Sequence, residues 1–277
     1  MEYSEKPVWN RCTREELVKM TVGVPDEEVR RKVLRNWDHV AKPIDGMGRF
    51  ESLTAQIGAI QGTEKIDIGK KAVIIMCADN GIVEEGISQS GQEVTSAVVK
   101  NMAQKKSSVG RMAAFIGAET IPVDIGVNNK EKIPGVLDRK IRCGTRNFRK
   151  EPAMTEEETI KAIFTGMEIV SHCKEKDYRI IATGEMGIGN TTTGSAVAAA
   201  LLGCEVSDVT GRGAGLSDEM FMHKQRIIME AIEKYDLKGS DALHILETVG
   251  GLDIAGLTGV CIGGAVFHIP IVLDGVV

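Results

Sequence analysis

Residues 184–194 combine the residue types that can hold a phosphate with one carboxylate. Gly187 and Gly189 would let the backbone approach an oxyanion closely, and a run of small residues that is typical of a helix follows them. The N–H groups of residues 190–193 would then face the anion from the positive end of the helix dipole. Glu185 stands beside this turn, where it could meet the ribose hydroxyls next to a 5′-phosphate. The segment predicts a sugar-phosphate site.

Other interpretations of this segment stay open. No lysine follows the glycines, so it is not a Walker loop, and the spacing differs from the dinucleotide motif G-x-G-x-x-G. A tight turn between a strand and a helix would show much the same pattern and bind nothing.

A second glycine-rich turn covers residues 211–215 and precedes a helix that Ser217 can cap. Its backbone N–H groups would also be free for an anion or a carboxylate. Lys224 lies on the apolar face of the following helix, together with Ile227 and Ile228. A lysine on an apolar helix face is ordinarily a surface residue whose side chain extends its ammonium to water. We expect instead that Lys224 points inward and places a positive charge near the first turn.

The elements that carry these turns alternate between strand and helix from residue 71 onward. Apolar runs predict buried strands at 73–78, 120–127 and 178–183, with a short strand at 269–273. Strands that alternate with helices imply an α/β, Rossmann-like parallel sheet with helices on both faces and ligands beyond the strand ends. The predicted helices cover 94–102, 109–116, a segment that starts with a capping box at Thr155 and Glu158, 195–202, and segments near 217–235, 240–247 and 253–266.

Residues 1–62 show a helical, amphipathic pattern without a strand signal. Asp26 is a good N-cap for a helix over 27–40, with Trp37 on its apolar side. We therefore predict an N-terminal helical segment at 1–62 that forms part of a small domain, and a Rossmann-like domain at 63–277.

Composition limits the classes of partner. The 277 residues are 43% hydrophobic, which is ample for a packed core, and the net charge of -5 argues against general affinity for nucleic acid or an anionic membrane. No signal peptide or membrane-spanning run is recognised, so a cytoplasmic protein is expected. The six cysteines lack any C-x-x-C pairing, which favours reduced thiols over a zinc site or a disulfide framework.

A series of short motifs extends along the α/β part of the chain. They read Asp-Asn-Gly at 79–81, Glu-Gly-Ile-Ser at 85–88, Gln-Glu-Val-Thr at 92–95, Val-Asp-Ile-Gly-Val at 123–127, Gly-Thr-Arg-Asn-Phe at 144–148, Pro-Ala-Met-Thr at 152–155, the segment at 184–194, Gly-Arg-Gly at 211–213 and Pro-Ile-Val-Leu-Asp-Gly at 270–275. In this order the motifs resemble the nicotinate-nucleotide:5,6-dimethylbenzimidazole phosphoribosyltransferases. The resemblance runs from about residue 40 to the end of the chain.

The resemblance implies an activity and an architecture. This family moves phosphoribose from nicotinate mononucleotide to an aromatic base such as 5,6-dimethylbenzimidazole, with inversion at the anomeric carbon, and makes the lower-ligand nucleotide of cobalamin-type cofactors. It implies a homodimer, a Rossmann-like sheet and a small helical domain built from both chain ends. No metal or other cofactor is implied.

The resemblance also implies roles for individual residues. Glu185 would face the ribose and Lys224 would assist nearby as the catalytic pair. The phosphate and nucleotide residues would be Gly187, Gly189, Asn190 and Thr191 with Gly211, Arg212 and Gly213 of the second turn, and the aromatic-base pocket would hold Asp79, Ser88, Gln92 and Met186.

Two departures from the family pattern affect these expectations. Asn80 and Gly91 stand where the family usually has His and Pro, so the preferred base stays open. The general base is expected beyond Val277, so that residues 1–277 are either a truncated or proteolysed fragment or are completed by another chain. Alone they are then expected to bind ligands but turn over poorly. A non-catalytic nucleotide-binding subunit is the alternative. A pyrophosphate-dependent phosphoribosyltransferase would need an acidic pair for Mg²⁺, whereas Glu185 is followed by Met186.

Overall fold

A parallel five-stranded sheet forms the centre of the described residues, which are 13–275 and 277 of this computed structural model. The strands are β1 (Lys71–Ala78), β2 (Ala118–Gly126), β3 (Leu137–Asp138), β4 (Ile180–Met186) and β5 (Ile271–Val272). Their spatial order is β3-β2-β1-β4-β5, and every neighbouring pair is parallel. The strand order reverses between β1 and β4, which is where ligands bind in such sheets. The predicted α/β class with a Rossmann-like parallel sheet is confirmed.

Helices connect the strands and cover the sheet. Over the described ranges, no helix is long and apolar enough to cross a membrane. The helices are α1 (Arg14–Val18), α2 (Glu27–Asp38), α3 (Arg49–Gln61), α4 (Glu93–Ala103), α5 (Ser108–Phe115), α6 (Glu156–Glu175), α7 (Asn190–Leu202), α8 (Val206–Val209), α9 (Asp218–Lys234), α10 (Ala242–Val249) and α11 (Leu252–Phe267), with a 3₁₀ turn at Gly81–Glu85.

The central strand β1 explains why helices lie on both faces. Ile74 and Met76 join the large core that α6 and α11 complete, whereas Ile75 and Cys77 join a second cluster that α4 covers. Successive side chains of a strand point to opposite faces, so a strand that is buried on both sides reads as one continuous apolar run.

The contact between α6 and α11 depends on glycine. A Cβ atom on Gly259 would lie 1.9 Å from the carbonyl oxygen of Ile163, and one on Gly166 would lie 2.1 Å from that of Gly256. The two helices therefore pack with their backbones nearly in contact. This packing brings the first turn of α11, which contains Asp253, to the edge where the strands end.

Most predicted elements are confirmed, with boundaries shifted by a few residues. The capping box of α6 is present: the Thr155 hydroxyl accepts from the Glu158 N–H at 3.1 Å, and the Glu158 carboxylate accepts from the Thr155 N–H at 2.9 Å. The strand predicted at 269–273 shortens to two residues, and β3 was not predicted because two residues carry no periodic signal.

The boundaries around the first glycine turn need correction. The strand predicted at 178–183 continues to Met186, because β4 stays paired with β1 up to the pair Cys77 and Met186. Glu185 is thus a strand residue and does not stand in the turn. The helix predicted at 195–202 already begins at Asn190.

The N-terminal segment is helical where it is described. The Asp26 carboxylate accepts from the N–H groups of Glu28 and Val29 at 2.8 and 3.0 Å, which confirms the N-cap, and α2 ends two residues before Val40. Helices α2 and α3 pack around Val29, Val33 and Ala55. Residues 1–12 lie outside the described residues, and the division into 1–62 and 63–277 stays a prediction.

Candidate active site

The turn between β4 and α7 has room only for glycine at two positions. A Cβ atom on Gly187 would lie 2.0 Å from the carbonyl oxygen of Ala78. Gly189 has a φ of 94°, in the left-handed region that glycine adopts without strain, and a Cβ atom there would lie 2.7 Å from Val83. The turn is therefore pressed against the end of β1, and the two glycines are required for the shape of the site.

The backbone N–H groups of this turn are largely engaged within the protein. The Asn190 N–H donates to Gly187 at 3.2 Å, and those of Thr192 and Thr193 donate to Gly189 at 2.9 and 3.3 Å. The prediction that the N–H groups of residues 190–193 together face an anion is therefore wrong for these three. The tight glycine turn satisfies them internally, so side chains must supply most of the grip on an anion.

Lys224 on α9 supplies a buried positive charge beside this turn. The side chain is fully buried, and Nζ donates to Thr191 Oγ1 and to the carbonyl oxygen of Gly211, both at 3.0 Å. Burial lowers the pKa of Lys224 to about 8. The inward orientation is confirmed, and the snorkelling alternative is wrong. The ammonium thus joins the first glycine turn to the second.

The second glycine turn is held mainly by Arg212. Its carbonyl oxygen accepts from the N–H groups of Gly215 and Leu216 at 3.2 and 3.1 Å. These donors were predicted to be free for an anion, and they are not. Its guanidinium donates to the Leu216 carbonyl oxygen and to Asp218, and it lies 5.0 Å from the centre of the Phe221 ring. The Arg212 charge is therefore largely used to shape the turn.

Glu185 is half-buried near the end of β4. Its carboxylate accepts a hydrogen bond from the side-chain amide of Asn190, and burial raises its pKa. Asn190 is the first residue of α7, and Thr191 is the second. Adjacent residues of one helix therefore bind the carboxylate of Glu185 and the ammonium of Lys224.

A narrow cleft of about 260 Å³, including space open to solvent, joins several predicted site residues. A larger cleft of about 600 Å³ lies at the opposite edge of the sheet, near Tyr178 and Arg179, and contains none of them. The predicted residues that line the narrow cleft are Ser88, Gly189, Thr191, Arg212, Gly213 and Lys224.

Asn128 connects two residues of the predicted aromatic-base pocket. Its N–H donates to Asp79 Oδ2 at 2.7 Å, and its side-chain amide donates to Gln92 Oε1 at 2.8 Å. Asp79 is fully buried, and burial raises its pKa. Met186 packs against the apolar cluster on the α4 face of the sheet, and neither it nor Asp79 lines the narrow cleft.

Two further buried polar residues lie at this edge, and of these sequence reasoning missed Asp253. Asp253 is fully buried in the first turn of α11, and burial followed by the charge of Glu185 raises its pKa to about 7. Asn80 is fully buried, and neither atom of its side-chain amide has a hydrogen-bond partner among the described residues. An acidic residue opening an otherwise apolar helix was the signal for Asp253.

In the part of the chain that the structure describes, no cluster of His, Cys, Asp or Glu side chains is arranged to hold a metal ion.

Comparison with known proteins identifies relatives of this chain in sequence and in fold. A family model described as phosphoribosyltransferase matches residues 22–277. The nicotinate-nucleotide–dimethylbenzimidazole phosphoribosyltransferase of Clostridium perfringens is 42% identical over 94% of this chain and 72% of its own length. That of Ruminiclostridium cellulolyticum is 43% identical over 90% of this chain and 70% of its own.

A solved structure gives the same result. The crystal structure of the nicotinate-nucleotide–dimethylbenzimidazole phosphoribosyltransferase of Thermus thermophilus superimposes with a TM-score of 0.83 at 33% identity, over 90% of this chain and 74% of that one. Sequence and fold thus agree with the family that the motifs indicated. The chain belongs to the nicotinate-nucleotide–dimethylbenzimidazole phosphoribosyltransferase family.

Proposed function

We propose that this protein transfers the 5-phosphoribosyl group of nicotinate mononucleotide to 5,6-dimethylbenzimidazole or a related aromatic base. The products are nicotinate and the α-ribazole 5′-phosphate type of nucleotide that cobamides contain. Membership of the family supports this function.

The observation that carries the proposal is the pairing of opposite charges at the start of α7. Asn190 binds the Glu185 carboxylate, and Thr191 binds the Lys224 ammonium. A sugar phosphate needs a cation for its phosphate and benefits from an anion near its anomeric carbon when positive charge develops there. Neighbouring positions of one helix bind both groups, the anion from β4 and the cation from α9.

The chemistry places modest demands on these residues. Nicotinate leaves as a neutral pyridine nitrogen, so the leaving group requires no general acid. Lys224, Thr191 and the glycine turns hold the phosphate, which fixes the ribose for attack by the base. Glu185 lies toward the sugar and stabilises the oxocarbenium-like transition state. These residues thus contribute to the reaction by positioning the substrate and by supplying charge.

The aromatic base is proposed to bind beside Ser88 and Gln92, with Asp79 and Met186 behind them. Ser88 lines the narrow cleft, and Gln92 is fixed by its hydrogen bonds to Asn128 and to the carbonyl oxygen of Asn80. The carbonyl contact is 3.1 Å long. Any residue at position 80 offers this carbonyl oxygen, so a base preference different from that of relatives with histidine there would come from the buried Asn80 side chain.

Nicotinate release tests the function directly. The protein is mixed with nicotinate mononucleotide with and without 5,6-dimethylbenzimidazole, adenine or a phenol, and nicotinate and nucleotide products are separated by chromatography. We expect nicotinate release to depend on the added base. Binding of nicotinate mononucleotide without any base-dependent release would support the alternative of a non-catalytic nucleotide-binding subunit.

We also expect nicotinate mononucleotide to bind without a metal ion. A single phosphate can be held by the Lys224 ammonium, the Thr191 hydroxyl and backbone donors, without a bridging divalent cation. Calorimetry in the presence of EDTA should give the same dissociation constant as in its absence, with added Mg²⁺ as the control. A loss of binding on chelation would contradict this arrangement.

We also propose that the protein is a homodimer, as the family resemblance implies, and that it acts in the cytoplasm. The five described cysteines, Cys77, Cys143, Cys173, Cys204 and Cys261, are free thiols, which supports a reducing compartment. Met112, Phe115 and Ile116 form an exposed apolar group at the end of α5, and such groups often mark subunit contacts. Light scattering coupled to size-exclusion chromatography would give the subunit number.

A further inference from the structure

Asp253 lies directly behind the turn that holds the proposed sugar-phosphate site. One carboxyl oxygen, Oδ1, accepts from the Ile254 N–H at 3.0 Å. The other, Oδ2, is buried without a hydrogen-bond partner among the described residues and lies 3.0 Å from the position that a Cβ atom on Gly187 would take. The carboxyl group therefore touches the backbone of the turn from the protein interior.

Glu185 and Asp253 share their surroundings. Asp253 Oδ2 lies against Gly187, whose carbonyl oxygen accepts from the Asn190 N–H at 3.2 Å. The side-chain amide of Asn190 in turn donates to Glu185. The charge of Glu185 raises the energy of the ionised form of Asp253, because two like charges in one buried site repel. Such a pair retains one proton more readily than two separate carboxylates would.

The neighbouring elements bring no cation into contact with Asp253 within the described ranges. Cys77 on β1 is a buried thiol whose pKa burial raises far above its usual range, so it stays neutral. Asp124 at the end of β2 is paired with Lys140 at 3.1 Å, and Lys224 on α9 is bonded to Thr191. Three acidic groups on the facing helices are paired elsewhere: Glu158 of α6 with Arg146 and Arg142, Glu168 of α6 with Arg139, and Glu247 of α10 with His244.

We propose that Asp253 is a positioning residue that holds the proton of this carboxyl pair, so that Glu185 is the charged member and faces the sugar. The difference in burial decides which group is protonated: Asp253 is fully buried, whereas Glu185 is half-buried at the strand end. The part that concerns the sugar depends on the proposed function, while the sharing of a proton does not. A charged Asp253 would add a second negative charge beside an anionic substrate.

The pH dependence of stability tests the proton sharing without any ligand. Because the folded pKa of Asp253 is about 7 and its ordinary value is 3.8, the native state binds more protons than the unfolded state between these pH values. This group therefore makes stability fall as pH rises through that window. Asp253→Asn removes the ionisation, so we expect the melting temperature of the variant minus that of the wild type to increase from pH 5 to pH 8.

A matched control and a second measurement keep this test decisive. Asp208→Asn changes an exposed aspartate on α8, and its difference from the wild type should stay constant with pH. Carbon-13 spectra of the wild type with labelled aspartate carboxyls should show one group that titrates near pH 7, and Glu185→Gln should move that titration to lower pH. A pH-independent difference for Asp253→Asn, or an aspartate titration that Glu185→Gln leaves unchanged, would overturn the proposal.

Ligand binding tests the consequence for the site. Calorimetry with nicotinate mononucleotide should give similar affinities for the wild type and Asp253→Asn at pH 6, and roughly tenfold tighter binding to the variant at pH 8. Lys224 loses part of its charge in both proteins at the upper end of this range, because its pKa is about 8, so the comparison is made between proteins at each pH. If the stability and spectroscopic results hold but the nucleotide does not bind, the proposed function fails and the proton-sharing pair stands. Equal affinities at both pH values would overturn the role of the pair in the site.

Discussion

Glu185→Gln is expected to slow phosphoribosyl transfer by about 10²–10³-fold, the cost of removing one well-placed group that stabilises transition-state charge. Glutamine keeps the size of the side chain and its hydrogen bond to Asn190, but it removes the negative charge that lies toward the sugar. Because positive charge at the anomeric carbon exists mainly in the transition state, the loss should appear in kcat, and the affinity for nicotinate mononucleotide should not weaken.

Single-turnover measurements with saturating nucleotide would isolate the chemical step. Glu205→Gln is the matched control, because it removes the same charge from an exposed position just beyond the far end of α7. A Glu185→Gln variant that transfers phosphoribose at the wild-type rate, or that loses only nucleotide affinity, would show that the carboxylate does not act on the sugar.

The fold and half of the candidate site follow from local patterns in the sequence. Buried parallel strands are continuous apolar runs, and the polar residues that follow them must meet at one edge of the sheet. Lys224 was predictable because a lysine at a core position of an amphipathic helix has either to reach the surface or to find a buried partner. The structure supplies that partner in Thr191.

The rest of the site depends on contacts that no local pattern contains. The N–H groups of Asn190, Thr192 and Thr193 donate within the turn, which is packed tightly against the end of β1. Side chains must therefore bind the anion that the N-terminus of the helix was expected to bind. Asp253 reaches the site only because glycines let α11 pack closely on α6. Its position 68 residues after Glu185 carries no sequence signal of their proximity.

Lys224→Met is expected to weaken nicotinate mononucleotide binding by roughly 10- to 100-fold while leaving the ranking of aromatic bases unchanged. The variant keeps most of the apolar stem and removes a charge-assisted hydrogen bond, which contributes about 1.5–3 kcal/mol. Calorimetry gives the affinity, and competition between bases gives the ranking. Arg226→Met removes a positive charge from an exposed position on the same helix and should leave both unchanged.

The stability of Lys224→Met separates a binding role from a structural one. The folded pKa of Lys224 is about 8, against an ordinary value of 10.5, so the unfolded state binds more protons between these values and wild-type stability rises with pH in that window. Burying the ammonium at neutral pH costs up to about 3 kcal/mol, which methionine avoids while leaving Thr191 and Gly211 without their donor. We therefore expect the variant to be about as stable as the wild type at pH 7 and to lack the rise in melting temperature above pH 8. A variant that unfolds far more easily at pH 7 would show that Lys224 is mainly structural. A changed base ranking with nucleotide affinity intact would place Lys224 on the base side of the site.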